Sequence, residues 1–308
     1  MECSLQAGTK KTERHHWWPE AVSNFWCGED GCVSWLWPCG KVVRTKPGNL
    51  GVITNGHYVK LGRHRGEETA WDFNFEPVFG RVDSAFPHVI NFLKEVCREA
   101  ITGRPQTYDF IPVDVAEESI TSIIDGIISL AVRIPMHRES AASVARQLRP
   151  QLSGAEAERI ITATIIHSFE SARRAIGTKG KICLLFSPYR EFIYGDGFFS
   201  NIRAPVQLFH RARMLIPLTP DIAVLFVQPE RYMEKPRICV RALNSNETDD
   251  LNLAVQVYSR NMIFFRSELP TRHPAFQEQR HLEFADRDNN IEKIIERVPG
   301  VLRPSWPF

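Results

Sequence analysis

Residues 181–227, KICLLFSPYREFIYGDGFFSNIRAPVQLFHRARMLIPLTPDIAVLFV, decide how this chain is read. Short apolar runs broken by Pro, Gly and Ser predict strands at Ile182–Phe186, Glu191–Ile193, Arg213–Pro220 and Ile222–Val227. Between the second and third strands lies Tyr194–Asn201, in which Gly195 and Gly197 flank one carboxylate, Asp196. Glycine opens backbone conformations closed to other residues, so the segment reads as a turn presenting Asp196 at a strand end. Asp196 is then either a fastener that accepts backbone N–H groups or a reactive group.

Upstream of this stretch the hydrophobic period changes twice. Ala21–Trp26 reads as a short helix, and Gly31–Trp37 alternates before Pro38-Cys39-Gly40 turns it into Lys41–Arg44, a hairpin pattern. Asn49–Thr54 and His57–Leu61 flank Asn55-Gly56, a strong type I′ turn signal, and predict a second hairpin. From Glu67 onward Trp71, Phe75, Phe79, Val82, Phe86, Val89, Ile90 and Leu93 recur at three and four residues, the mark of a buried helix face. Further helices are predicted at Ile120–Arg133, ended by Pro135, at Ser140–Leu148 and at Glu156–Ala175. Downstream come a strand at Arg237–Leu243, a helix at Glu247–Ser259 and an apolar segment at Asn261–Ser267. The pattern predicts a mixed α+β fold: N-terminal β hairpins, central helices, antiparallel strands around the Asp196 loop and a C-terminal helix. Residues 1–12 read as a frayed terminus, 13–269 as one domain, and 270–308 as a polar, proline-broken extension.

The 308 residues suffice for a substantial core, and 43% hydrophobic with 24% charged residues is the composition of a soluble globular protein. The formal net charge of +2 excludes nothing about partners, because a near-balanced total can conceal a basic face. Arginines do cluster, at Arg133, Arg138, Arg146, Arg149, Arg159, Arg173 and Arg174, and again at Arg203, Arg211 and Arg213. Such side chains bind phosphates in bidentate fashion, or simply solvate a helix. No apolar run approaches the roughly 20 residues that span a bilayer, and Met1–Lys11 has no signal-peptide core, so the expectation is a cytoplasmic protein with no membrane partner. The seven cysteines are then expected to be reduced thiols. Cys27, Cys32 and Cys39 lack the spacing of a zinc knuckle, and neither a metal nor another cofactor is expected.

No glycine-rich phosphate loop, zinc helix, nucleophile elbow or zinc-deaminase signature is present. What remains is chemistry by carboxylate and imidazole, or binding alone. Arg14-His15-His16-Trp17-Trp18-Pro19 concentrates two titratable rings and two indoles, either as core anchors or as a stacking wall beside a proton carrier. Glu76 and Asp83 lie on the acidic side of the long helix.

Four segments occur in order: Arg14-His15-His16-Trp17-Trp18-Pro19 with Phe25 following; Phe75-Glu76-Pro77 with Asp83; Arg133-Ile134-Pro135 with Arg138; and Phe192-Ile193-Tyr194-Gly195-Asp196, answered by Ile216-Pro217-Leu218-Thr219-Pro220. This order resembles the bacterial family catalogued as domain of unknown function 4238, over roughly residues 13–267. The chain departs from that pattern at Gly195, where serine is usual, and at Phe198, where proline is common. The resemblance implies a phage-defence DNA glycosylase that hydrolyses the N-glycosidic bond of a modified nucleobase and leaves abasic sites, with DNA as partner. It assigns Asp196 as the carboxylate, His16 or His15 as the proton partner, and Glu76 as a further acid. Trp17, Trp18 and Tyr194 would be the stacking surface, Arg133 and Arg138 the phosphate clamps, and Asn201 a reader of the base edge. The alternatives are a metal-dependent nuclease built on Glu76, Asp83 and Asp196, and a non-catalytic sensor or interaction module in which Asp196 and the His-His-Trp-Trp segment are fasteners.

Overall fold

A computed structural model describes residues 14–54, 58–59, 73–74, 76–104, 109–148, 154–177, 179–199, 212–228, 236–280 and 290–301. Among them the fold is mixed α+β, as the hydrophobic periods predict. Strand β1 (Arg14–His16) leads into helix α1 (Glu20–Ser23) and a 3-10 turn over Asn24–Trp26. A hairpin of β2 (Val33–Leu36) and β3 (Val42–Thr45) follows, turned at Gly40 with φ +92°. Three short strands come next, β4 (Val52–Thr54), β5 (Tyr58–Val59) and β6 (Phe73–Asn74).

Among the described residues the flanks of Asn55-Gly56 pair with other strands rather than with each other. β4 pairs with β1, placing His16 opposite Val52, and β5 pairs with β6. The turn residues themselves lie outside the described residues. The N-terminal strand offers β4 a partner over three residues.

Helix α2 runs Glu76–Ile101, beginning at Glu76 rather than near Glu67, because Phe73–Asn74 is already committed to a strand. Pro77 sits in its first turn, where a missing N–H costs nothing. After β7 (Ile111–Val113), α3 (Glu117–Arg133) buries most of its length and meets α4 (Pro135–Leu148) at a 56° bend at Ile134-Pro135. α5 (Gly154–Ile176) completes a helical layer with α2 and α3. The layer packs closely: a Cβ on Gly126 would lie 3.2 Å from the Phe86 ring, and Phe79 meets Phe169 edge-on at 5.0 Å. No single helix among the described residues is long and apolar enough to cross a membrane.

The segment after α5 supplies β8 (Lys181–Phe186), β9 (Tyr194–Gly195), β10 (Arg213–Thr219) and β11 (Ile222–Val227), followed by β12 (Ile238–Ala242), α6 (Ser245–Tyr258), β13 (Ile263–Phe265), α7 (Pro274–Gln277) and α8 (Asn290–Arg297). One five-stranded sheet has the order β10-β11-β8-β12-β7, with β12 parallel to β8 and the remaining neighbours antiparallel. β11 is buried at all six positions, which is why it reads as an unbroken apolar run rather than an alternation. A four-stranded sheet, β3-β2-β13-β9, carries the aromatic side of the protein. Leu36, Ile263 and Phe265 face a minor core with Val255 and Phe276, while Phe264 and Tyr194 face the main core. Glu191–Ile193 is not the strand expected from its apolar residues; pairing starts one residue later, at Tyr194 opposite Phe264. The described part of the C-terminal extension belongs to the same body, since Phe276, Ile291 and Ile295 are buried and Glu292 is ion-paired to Arg213.

Candidate functional site

The sequence-distant segments meet around one ring. Tyr194 is fully buried at the start of β9 and packs 3.8 Å, centroid to centroid, from Trp18, 6.4 Å from Trp17 and 6.2 Å from Trp26. Phe264, across the β9–β13 ladder, stacks on it at 5.9 Å with 9° between the planes. Each contact follows from the short pairings described above. β1 and Gly51, whose φ of +64° no Cβ would tolerate beside Trp18, carry the indoles inward, and Trp17 N–H donates to the Gly51 carbonyl at 2.8 Å. The Trp26 Nε1–H closes the circle by donating to the Leu218 carbonyl of β10 at 3.0 Å.

Arg133, at the end of α3, is 1% exposed and lies within electrostatic reach of Tyr194. It donates to both oxygens of Asp83 on α2, at 2.9 and 2.6 Å, lies 4.6 Å from the Phe79 centroid, and gives its Nε–H to the Ser129 carbonyl at 3.3 Å. All three nitrogens are therefore engaged. The Tyr194 hydroxyl has no hydrogen-bond partner among the described residues. Burial pushes its pKa well above the ordinary tyrosine value, against the opposing pull of Arg133, so it stays a neutral donor.

Asp196 is 1% exposed, and its oxygens are taken. Oδ1 accepts the Arg260 N–H at 2.8 Å, while Oδ2 accepts the Asn261 N–H at 3.0 Å and the Asn261 side-chain amide at 2.9 Å. Its own N–H donates to the Met262 carbonyl at 3.1 Å. Burial raises the carboxyl, and these donors oppose it by favouring the charged form. The arrangement fastens the turn that leaves α6. The flanking glycines serve close approach rather than left-handed backbone: a Cβ on Gly195 would lie 1.8 Å from the Ser259 Oγ, and one on Gly197 2.0 Å from the Tyr258 carbonyl oxygen.

His16 is half-buried, and its Nδ1 lies 3.1 Å from the Leu50 carbonyl oxygen, which can only accept, so the proton sits on Nδ1 and Nε2 has no hydrogen-bond partner among the described residues. Asp83 keeps its side chain 26% exposed, while its partner Arg133 is 1% exposed. Arg138 is half-buried on the first turn of α4, beside Glu139, whose carboxylate reaches Arg260 at 2.9 Å. Asn201 and the side chains of His15 and Glu76 lie outside the described residues.

Of the expected residues, Trp17, Trp18 and Tyr194 are brought together, but as packing. Trp17 and Trp18, 4% and 1% exposed, form a buried wall and not an open stacking surface; Arg133 is spent on Asp83 and is not a phosphate clamp. Apolar bulk next to a proline signals a core more strongly than a ligand platform, and here the core reading prevails. Asp83 was legible only as one acid among several on a helix face; its pairing to a residue 50 positions away has no local sequence signal. The partners of Asp196 in Arg260–Met262 were equally unmarked. Among the described residues no three His, Cys, Asp or Glu side chains are grouped to hold a metal ion. No protein-family model, no characterised protein and no solved structure matches the chain.

Proposed function

We propose that the protein is a hydrolase of N-glycosidic bonds in DNA, acting in phage defence, whose working carboxylate is Asp83 and whose proton carrier is His16. The substrate class rests on the resemblance of the four ordered segments. The carboxylate rests on one geometric observation: Asp83 reaches solvent while a buried guanidinium fixes its plane through two hydrogen bonds. Cleavage of such a bond needs a permanent anion to steady oxocarbenium-like charge and aim a water, and a group that moves a proton beside it. A carboxylate locked in the bidentate fork retains a lone pair on each oxygen for those tasks. His16 suits the second role because its Leu50 contact fixes the tautomer and leaves Nε2 to exchange the proton. The test is mass spectrometry of nucleobases released from modified phage DNA in the presence of chelator. Released base with alkali-labile sites supports the reading, and DNA recovered with all bases intact removes it.

A second reading is favoured by Asp196, whose oxygens are both committed to backbone: a non-catalytic defence module in which the conspicuous segments only hold the fold together. Phage-DNA binding without base release selects it.

A further inference from the structure

A second polar cluster, unused by the chemistry above, lies at one edge of the five-stranded sheet. β8 and β12 run parallel, so their carboxyl ends share that edge, and α6 starts there from its cap Asn244. Arg241, one residue from the end of β12, is 1% exposed. Its Nη2 donates to Glu247 in the first turn of α6, and its guanidinium lies 5.0 Å from the Phe110 ring centroid. Its Nε and Nη1 have no hydrogen-bond partner among the described residues. A charged donor buried with bonds unmade is among the costlier features of a folded protein, and it calls for an acceptor.

We propose that Arg241 anchors an oxyanion site, in which a phosphate or carboxylate group of a small ligand accepts hydrogen bonds from the idle guanidinium nitrogens beside the first turn of α6. The charges around the guanidinium indicate which anion fits. Burial of Arg241 is offset by Glu247, with Arg297 from α8 and Asp109 also within electrostatic reach. Idle donors on a single guanidinium, with the Glu247 carboxylate beside them, suit one phosphate or one carboxylate group and disfavour a polyphosphate chain. The N-terminal end of α6, a 14-residue helix, adds a favourable dipole for an anion.

Thermal unfolding at fixed ionic strength tests this with inorganic phosphate, formate and tripolyphosphate as probes. Saturable rises in Tm on the order of 5 °C are expected for phosphate or formate at about a hundredfold excess over Kd, with no larger effect from tripolyphosphate. Which of the first two acts separates a phosphate-bearing ligand from a carboxylate. The double variant Arg241→Met/Glu247→Gln, which removes both partners of the buried pair, should lose the shift while keeping its circular dichroism. Hydrogen exchange on the wild type gives an independent readout: the same probe should protect the amides of residues 245–248. Absence of any saturable shift, an equal shift in the double variant, or protection confined to other segments overturns the proposal. If the double variant fails to fold, the exchange map decides alone.

Discussion

Replacing Asp196 by alanine should cost stability in an amount set by the turn it holds. The substitution strands the N–H of Arg260, the N–H of Asn261 and the Asn261 side-chain amide, which now donate at 2.8, 3.0 and 2.9 Å. A buried donor left without its acceptor costs about 1–3 kcal/mol, so three give roughly 3–6 kcal/mol after partial relaxation. Desolvation of the carboxylate opposes this, since burial raises the Asp196 carboxyl and its removal returns part of that penalty. The expected net loss is therefore near the lower end, about 3 kcal/mol, or roughly 6 °C in Tm for a chain of this size. Urea and thermal unfolding followed by circular dichroism measure it. Asp196→Asn, which keeps one acceptor oxygen, should lose about half as much. An alanine variant within about 0.5 kcal/mol of wild type would refute the fastening role and return Asp196 to the list of reactive groups.

Three further outcomes follow from packing and electrostatics. In Gly195→Ser the new Cβ would meet the Ser259 Oγ at 1.8 Å; the variant should be destabilised by about 2 kcal/mol alone and be rescued by Ser259→Gly, which clears that space, as unfolding of the two variants would show. Burial alone would raise the Glu191 carboxyl, but the hydrogen bonds of Ser267 and Arg266 outweigh it and hold it below the ordinary value of 4.5. The stability it contributes is therefore present above about pH 4.5 and lost as the pH falls through the lower folded value, so Glu191→Gln should cost about 1 kcal/mol at pH 7 and progressively less as the pH falls below 4.5. Among the described cysteines, Cys39 is exposed, whereas Cys97, Cys183 and Cys239 are buried, with the Cys97 thiol pushed up to about 12. Alkylation mapped by mass spectrometry should label Cys39 within minutes and the three buried thiols only in denaturant.

Much of the fold was legible because its apolar runs are long and its periods clear. Ile222–Val227 and Lys181–Phe186 are six-residue runs whose burial leaves no register choice, and the helices over Glu117–Arg133 and Gly154–Ile176 show their faces directly. The short strands were not legible. Arg14–His16, Val52–Thr54 and Tyr194–Gly195 have only two or three residues each, and their partners are fixed by distant chain rather than by their own propensity. The candidate site was half legible for the same reason. Composition marks the His-His-Trp-Trp segment and the Asp196 loop separately as unusual, and only the structure shows that Trp18 packs on Tyr194. Whether that location is cleft or core depends on contacts such as Arg133 to Asp83 and Asp196 to Arg260, which span 50 and 64 residues and leave no local trace.

The most direct test of the account separates its two carboxylates in one assay. Base release from modified phage DNA is measured for wild type, Asp83→Asn and Asp196→Asn at a temperature where circular dichroism shows all three folded. The account predicts release by wild type and by Asp196→Asn within about threefold of each other, and a loss on the order of a thousandfold or more in Asp83→Asn, the scale of removing one charged group from a transition state. Release surviving in Asp83→Asn and vanishing in folded Asp196→Asn would contradict it.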